Sequence, residues 1–600
     1  MTNAYTGKLL RINLSESSLK EENLDLEKAK KFIGARGLGS KMLMEEIDPK
    51  VDPLSPENKL ILMTGPITGT NAPTSGRYVA VTKSPLTNMI ACSNSGGHWG
   101  PKLKFSGYDG IIIEGKSETP VYLLIDGNEN KILSAKELWG KTSLETEKIL
   151  KELYPDSSIL NIGPAGEKLS LISAIINDGD RAAGRSGVGA VLGSKNLKAI
   201  VVSHKSRKLD LHSPEKFREE LIVAMKKIKD NGVTGQGLPA YGTAVLVNII
   251  NEIGSLPTNN WKKSQFDRAE NISGETLREK YLVKQGYCFG CPIGCGRVIN
   301  LDGKIVGGPE YEPLWAYGAN CGIDDLKAID EANFWCNELG LDAISTPCTI
   351  AAAMELYEKG LISDNDCEGV PLKFGSSQAI IFWTKKMGLQ EGKLGSLMAQ
   401  GSQRLCEYYN HPEISMSVKK QELPAYDARG IQGIGLNYAT SNRGGCHVRG
   451  YMISPEVLSL PIPLDRNSIE GKAQWTKIFQ DLTAVIDSMG MCLFSSFALG
   501  TEDYANFLNS AIGTNYSQDE LLEIGERIYN LERVFNQKAG MKPEEDTLPK
   551  RLLEDPIENG PSKGAISHLY VMLPEYYKAR GWVEAFPTKE TLERLELDEL

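Results

Sequence analysis

The sequence predicts an α+β protein: a sheet-rich N-terminal domain over residues 1–208, then two mainly α-helical domains over 209–415 and 416–600. Three observations carry this. Short β-branched runs bounded by Gly, Pro and Asn fill the first third. After Ser213-Pro214-Glu215 the apolar residues switch to three- and four-residue spacing. A chain of 600 residues is also too long for a single hydrophobic core.

The expected strands include Leu60-Ile61-Leu62-Met63, Gly110-Ile111-Ile112-Ile113, Val121-Tyr122-Leu123-Leu124-Ile125 and Ala199-Ile200-Val201-Val202-Ser203. Turn-rich segments such as Gly65-Pro66-Ile67-Thr68-Gly69-Thr70 and Asn177-Asp178-Gly179-Asp180 separate them. The polar stretch Ser203-His204-Lys205-Ser206-Arg207-Lys208 reads as a linker. Ser213 then offers an N-cap and Pro214 a first helical residue. Amphipathic helices are expected over 214–230, 325–340, 349–359, 395–410, 472–488, 517–536 and 566–580. His411-Pro412-Glu413 marks the break between the two helical domains.

Composition narrows the function classes. Hydrophobic residues make up 41% and charged residues 24%, the balance of a soluble globular protein. No apolar run reaches the roughly 18 residues a membrane span needs. The start lacks a secretory core, so a cytoplasmic location is expected. A net charge of -10 argues against general nucleic-acid binding. The 11 cysteines are odd in number and unevenly spaced, which is not a disulfide framework.

Cys288-Phe289-Gly290-Cys291-Pro292-Ile293-Gly294-Cys295-Gly296 is the strongest chemical signal. Three thiolates within eight residues, separated by turn formers, suit an iron–sulfur cubane whose sulfurs accept backbone N–H groups. Structural zinc is the competing reading, but it usually needs a second close ligand pair, and none is present. A cubane requires a fourth ligand. Cys336 and Cys348 sit in apolar helical surroundings and read as buried thiols, while spacing leaves Cys446 and Cys492 both open.

Several loops suit anions. Arg181-Ala182-Ala183-Gly184-Arg185-Ser186-Gly187-Val188-Gly189 pairs arginine forks with glycines that admit a phosphate. Ser75-Gly76-Arg77 and Asn94-Ser95-Gly96-Gly97 are of the same type, though each alone reads as a turn. Gly193-Ser194-Lys195 lacks the order of a phosphate loop, and Gly34-Ala35-Arg36-Gly37-Leu38-Gly39 is a dinucleotide look-alike that follows no clear strand.

Two hexapeptides about 150 residues apart share a pattern: Asn337-Glu338-Leu339-Gly340-Leu341-Asp342 and Asp487-Ser488-Met489-Gly490-Met491-Cys492. Each predicts a helix ending at glycine with a potential ligand just past it, and each equally fits an ordinary helix C-cap. Gly308-Pro309-Glu310-Tyr311-Glu312-Pro313 holds two carboxylates on a proline-bracketed loop. Arg443-Gly444-Gly445-Cys446-His447 places one of only 6 histidines beside an arginine.

Together these segments resemble the tungsten-containing aldehyde:ferredoxin oxidoreductase family, over essentially the whole chain. The resemblance includes Cys288-x2-Cys291-x3-Cys295-Gly296-Arg297 and Asn442-Arg443-Gly444-Gly445-Cys446-His447. It implies tungsten, or more rarely molybdenum, held by two pyranopterins (a tungstopterin centre) at the domain junction, a magnesium ion between their phosphates, and a neighbouring [4Fe-4S] cluster. It implies Cys492 as the fourth cluster ligand after Cys288, Cys291 and Cys295. Asn337, Leu341 and Asp342, and Asp487 and Leu493, would contact the pterins. Arg77, Asn94, Gly96, Arg181, Ala182, Gly184 and Arg185 match the first-domain cofactor loops, with backbone carbonyls of Asn94 and Ala182 reaching magnesium, and Arg443 and Arg449 match basic positions beside the histidine. Glu312 would be the general base and His447 a proton shuttle. The implied reaction oxidises an aldehyde to a carboxylic acid, or runs in reverse, with ferredoxin as the redox partner. Asn337 stands where the family often has an acid. Some members form dimers through an iron ion held by a glutamate and a histidine. Glu331 matches that glutamate, but Ile381 occupies the histidine's place, so the expectation is a monomer or a homodimer made by another route.

Overall fold

The computed structural model describes residues 3–204 and 209–600. Residues 205–208 of the expected linker lie outside the described residues. The N-terminal region contains two six-stranded sheets. Strands β1 (Lys8–Asn13), β2 (Ser18–Asn23), β3 (Leu60–Thr64), β4 (Tyr78–Lys83), β5 (Ile90–Ser95) and β6 (Gly110–Glu114) form the first, in the order β2-β1-β6-β3-β4-β5. Strands β7 (Val121–Ile125), β8 (Lys131–Ser134), β9 (Ser158–Asn161), β10 (Ile175–Asn177), β11 (Arg181–Ala183) and β12 (Leu197–Val202) form the second, in the order β11-β10-β9-β12-β7-β8. Each sheet has one parallel pair, β1 with β6 and β12 with β7.

The strands β3, β4 and β12 are buried along their whole length, which explains why they read as continuous apolar runs and not as alternating ones. Leu62, Tyr78, Ile111 and Ile113 of the first sheet share one core with Leu123, Leu160 and Ile200 of the second. Trp99 sits in this core and donates its ring N–H to the Ile200 carbonyl at 3.1 Å. On the other face of the first sheet lies helix α1 (Ala35–Glu46), continuous with the main core of the chain.

Residues from 209 onward are mostly helical. The expected helices appear as α2 (Pro214–Asp230), α3 (Leu326–Leu339), Ser345–Glu358, α4 (Lys472–Met489), α5 (Gln518–Lys538) and Leu569–Arg580. The one expected over 395–410 is two helices, Gly392–Met398 and Ser402–Tyr408, because Gly401 takes a φ of +91° that no continuing helix allows. The sequence reading also missed an antiparallel sheet in this region: β13 (Leu282–Gly286), β14 (Gly296–Leu301) and β15 (Lys304–Gly307). It grips the cysteine loop, since β13 ends just before Cys288 and β14 begins just after Cys295. Among the described residues no helix is long and apolar enough to cross a membrane.

Candidate active site

The two hexapeptides are the C-termini of α3 and α4. Both end in a left-handed glycine, Gly340 at φ 72° and Gly490 at φ 83°, whose N–H groups return to carbonyls of the last turn. Each cap docks on one N-terminal sheet, glycine against glycine. A Cβ at Gly65, just past β3, would lie 2.1 Å from the Met489 backbone, and one at Gly163, past β9, would lie 2.3 Å from the Leu339 backbone. The seams are stitched by main chain: Ile67 N–H to the Met489 carbonyl at 3.0 Å and Ala174 N–H to the Gly340 carbonyl at 2.8 Å. The hexapeptides therefore stop their helices and aim the next residues into the space between the regions.

That space is a cavity of about 560 Å³. The first region contributes Arg77, Asn94, Gly96, Arg181, Ala182, Gly184 and Arg185 to its walls. The hexapeptides contribute Asn337, Leu341, Asp342, Asp487 and Cys492, with Leu493 just after. Glu312, His447, Arg443, Cys288 and Cys295 complete the set. Two expected site residues are not in the walls. Arg449 stands behind Asp487, donating to its carboxylate at 2.5 Å and to the Asn94 side chain at 3.3 Å. Cys291, half-buried, lines a surface depression beside Pro292.

Four thiols gather at one end. Arg77 donates to Cys492 Sγ at 3.0 Å, and its charge also acts on Cys288 and Cys295. Thr74 ties the cysteine loop to Cys492: its N–H reaches the Gly290 carbonyl at 2.8 Å and its carbonyl accepts from Cys492 N–H at 3.1 Å. Gly96 leaves room for sulfur, since a Cβ there would lie 2.7 Å from Cys288 Sγ. Burial, with Cys492 close by, pushes the Cys291 thiol up to about 11. A cation is what would draw such thiols to the thiolate form. Among the described residues no three His, Cys, Asp or Glu side chains converge closely enough to hold a single metal ion. Cys446, the other candidate for fourth ligand, points elsewhere. Burial alone would raise its thiol, but Arg443, at 3.0 Å, together with Arg449 and Arg185 draws it below its ordinary value.

Asp342 and Asp487 of the hexapeptides are held by arginines. Asp342 accepts from Arg185 at 3.1 Å and from the Ser345 hydroxyl at 2.7 Å. Asp487 accepts from Asn94 at 2.6 Å and from Arg36 at 3.2 Å. Arg36 in turn forms a two-pronged pair with Glu532 at 2.7 and 2.8 Å, wholly buried. Sequence reasoning missed Arg36 and Glu532. A signal was present in Leu531-Glu532-Arg533-Val534-Phe535, where charges sit inside an apolar helical stretch.

At the other end Glu312 Oε1 lies 3.5 Å from His447 Nε2. Glu312 Oε2 accepts the Ala425 N–H at 3.0 Å, whereas Glu312 Oε1 and His447 Nδ1 are buried with no hydrogen-bond partner. Burial pushes the Glu312 carboxyl up to about 8, against the Ala425 N–H. Burial, then the charges of Arg185 and Arg443, hold His447 well below its ordinary value, so its imidazole is neutral at physiological pH. Tyr426 and Tyr451, joined at 2.9 Å through their hydroxyls, flank the His447 ring, and Tyr451 packs on Phe497. The arrangement is a proton-accepting pair in an aromatic chamber that shares one arginine-lined cavity with a group of thiols.

The match to known families decides the identity of this arrangement. Residues 9–204 match the model of the aldehyde ferredoxin oxidoreductase N-terminal domain, and 220–597 that of its domains 2 and 3. The chain belongs to the aldehyde ferredoxin oxidoreductase family. It is 53% identical to the tungsten-containing aldehyde ferredoxin oxidoreductase of Pyrococcus abyssi and 52% identical to that of Pyrococcus furiosus, over 99% of each chain. Among solved structures, a chain of the active-site complex BamBC of benzoyl coenzyme A reductase, bound to 1,5-dienoyl-CoA, superposes with a TM-score of 0.87 at 25% identity. The match covers 100% of this chain and 98% of that one. The cavity and its seams are thus those of an aldehyde ferredoxin oxidoreductase family member.

Proposed function

We propose that this chain oxidises aldehydes to carboxylic acids at a tungsten bis-pyranopterin centre, passing electrons through a [4Fe-4S] cluster to ferredoxin; the same site is open to acid reduction in reverse. The observation that carries it is the unpartnered Glu312–His447 pair facing the same cavity as Cys288, Cys295 and Cys492. Family membership and full-length similarity to tungsten-containing relatives support the reading.

The residues present fit the implied groups. Arg77 and Arg181 turn forks toward the cavity that can take phosphates, whereas Arg185 and Arg443 engage Asp342, Cys446 and main-chain carbonyls and so shape the wall around them. Asn337 with Leu341 and Asp342 would face one pterin, Asp487 with Leu493 the other, with Arg449 and Gly184 in support. Backbone carbonyls of Asn94 and Ala182 are the proposed magnesium ligands, and Cys288, Cys291, Cys295 and Cys492 the cluster ligands. The three-domain division with a break near 415, and a site at the domain junction, belong to the same proposal. When bound, tungsten would accept two electrons at once and the cluster would release them singly.

The protein's own part is proton handling and positioning. Oxidation of RCHO with H2O to RCOOH releases two protons and two electrons. Glu312 is buried, unpaired at Oε1 and raised to about 8, so it accepts a proton readily from water or from the hydrated aldehyde. Neutral His447 donates a hydrogen bond to the substrate oxygen and relays the proton outward. Tyr426, Tyr451 and Phe497 keep bulk water away and accept an apolar aldehyde tail. Metal analysis of protein purified without oxygen, paired with aldehyde-dependent viologen reduction, tests this. Tungsten with iron, and turnover, is the expected result. Iron without tungsten or molybdenum, and no aldehyde-dependent reduction, would leave an electron-transfer subunit instead.

A further inference from the structure

Electrons gathered in the cavity must leave through the protein surface, and the cysteine loop lies between the two. Cys288 borders the cavity on its inner side and, with Cys291, a shallow surface depression on its outer side. Leu221 and Met225 of α2 form one bank of that depression, and Tyr287 with Pro292 the other. These apolar groups are unusually open: Ile222, Tyr287 and Met225 are 63%, 51% and 40% exposed. Such a cluster on a soluble protein marks a contact surface.

Charge says what fits. Arg218, Ile222, Met225 and Lys229 follow one another at three- and four-residue steps, so they share one stripe of α2; Leu221 lies three residues from Arg218 and four from Met225, and Lys226 a turn from Ile222. Arg218, Lys226 and Lys229 are exposed and make no ion pair among the described residues. Glu219 and Glu220 stand between Arg218 and Leu221, and Asp230 follows Lys229, so it is the half of α2 that carries Lys226, Lys227 and Lys229 beside Met225 that is locally basic on a chain whose net charge is -10. A basic rim around an apolar centre selects a partner with an acidic face.

We infer that this face of α2, together with the cysteine loop, is where ferredoxin docks, through an acidic surface next to its own cluster. The inference rests on the functional reading above. A one-electron carrier must dock twice for each aldehyde oxidised, leaving with one electron each time, so the contact has to be brief. A small apolar centre with a charged rim suits a transient redox encounter, whereas a stable dimer buries about 1,200–2,000 Å².

The test uses the metal-loaded enzyme with Lys226→Glu/Lys229→Glu and, separately, Met225→Glu. Aldehyde oxidation is followed with a recombinant acidic ferredoxin and, in parallel, with methyl viologen, which needs no docking site. The expected result is a loss of about tenfold or more in kcat/KM for ferredoxin at low ionic strength. The viologen rate should be unchanged, and the salt dependence of the ferredoxin rate flattened. Unchanged ferredoxin kinetics in both variants, or equal losses with both acceptors, overturns the docking face. So does a wild-type dimer that the double variant splits while ferredoxin kinetics stay the same, because the face would then be a self-contact. Failure of the wild-type enzyme to reduce viologen with any aldehyde would instead sink the functional reading.

Discussion

Replacing Glu312 with glutamine removes one proton acceptor and little else. Glu312 Oε2 accepts the Ala425 N–H at 3.0 Å, a bond that the glutamine carbonyl retains. The new amide then occupies the place of Oε1, 3.5 Å from His447 Nε2, with no other partner to lose. Fold and cofactor loading should therefore survive. General-base catalysis typically contributes 10²- to 10⁴-fold, so kcat should fall by that factor, about 3–5 kcal/mol of barrier. The pH profile carries a second signature. A base works in its deprotonated form and burial raises Glu312 to about 8, so wild-type kcat/KM should climb as pH passes through that value. His447 is held far below its ordinary value and should add no second limb in the same range. Aldehyde-dependent viologen reduction from pH 6 to 10, normalised to tungsten and iron content, measures both. Near wild-type kcat in the glutamine enzyme, or an unchanged rising limb, would refute the assignment of Glu312 as base.

Cys492→Ser should lower iron content and alter the low-temperature EPR spectrum of the reduced cluster, whereas Cys446→Ser should leave both intact, because Cys446 is bound by Arg443 away from the other thiols. Asp546→Ala leaves Lys419 and Arg533 buried without their shared counter-ion, now at 2.8 and 3.0 Å, and should lower stability by about 3–5 kcal/mol in thermal melts. Asp330 is buried with both oxygens unpartnered, and burial raises its carboxyl to about 8. Folding is therefore favoured most at low pH, and that advantage is lost as pH rises toward about 8. Asp330→Asn should melt higher than wild type, by on the order of a few kcal/mol, with a margin that grows between pH 5 and 8 and then levels off.

What could be read from the sequence was local. Strands such as Leu60–Thr64 were legible because burial on both faces leaves an unbroken apolar run. The hexapeptides were legible as helix ends because left-handed glycine is a backbone requirement. The sheet around the cysteine loop was not, because Leu282–Gly286 and Lys304–Gly307 are short, polar and largely exposed, so alternation is blurred. Choosing between Cys446 and Cys492 was beyond spacing as well. The choice depends on Arg77 and Thr74, which approach Cys492 from a separation of 415 residues and more. Arg36 was passed over for the same reason: its partners Asp487 and Glu532 are distant in the chain, and a glycine-rich neighbourhood disguised a helix start.

The glycine-to-glycine seams also set a timetable. The contacts that close the cavity join residues 393, 415 and 451 positions apart. At 5–20 residues per second, a ribosome that has made Arg77 needs roughly 20–80 s more to make Cys492. Both sheets can be complete only once Val202 is out, and from then their glycine edges stay bare until first α3 and then α4 follow, so half of the site waits for the other half. Prosthetic groups bridging the two halves find both sets of holders only once the last third of the chain is out. A prematurely terminated chain lacking α4 would keep its sheets and its CxxCxxxC loop yet offer no second seat. A cofactor that needs both seats would thus load only on a chain that has reached α4, an order set by where the two hexapeptides fall in the sequence.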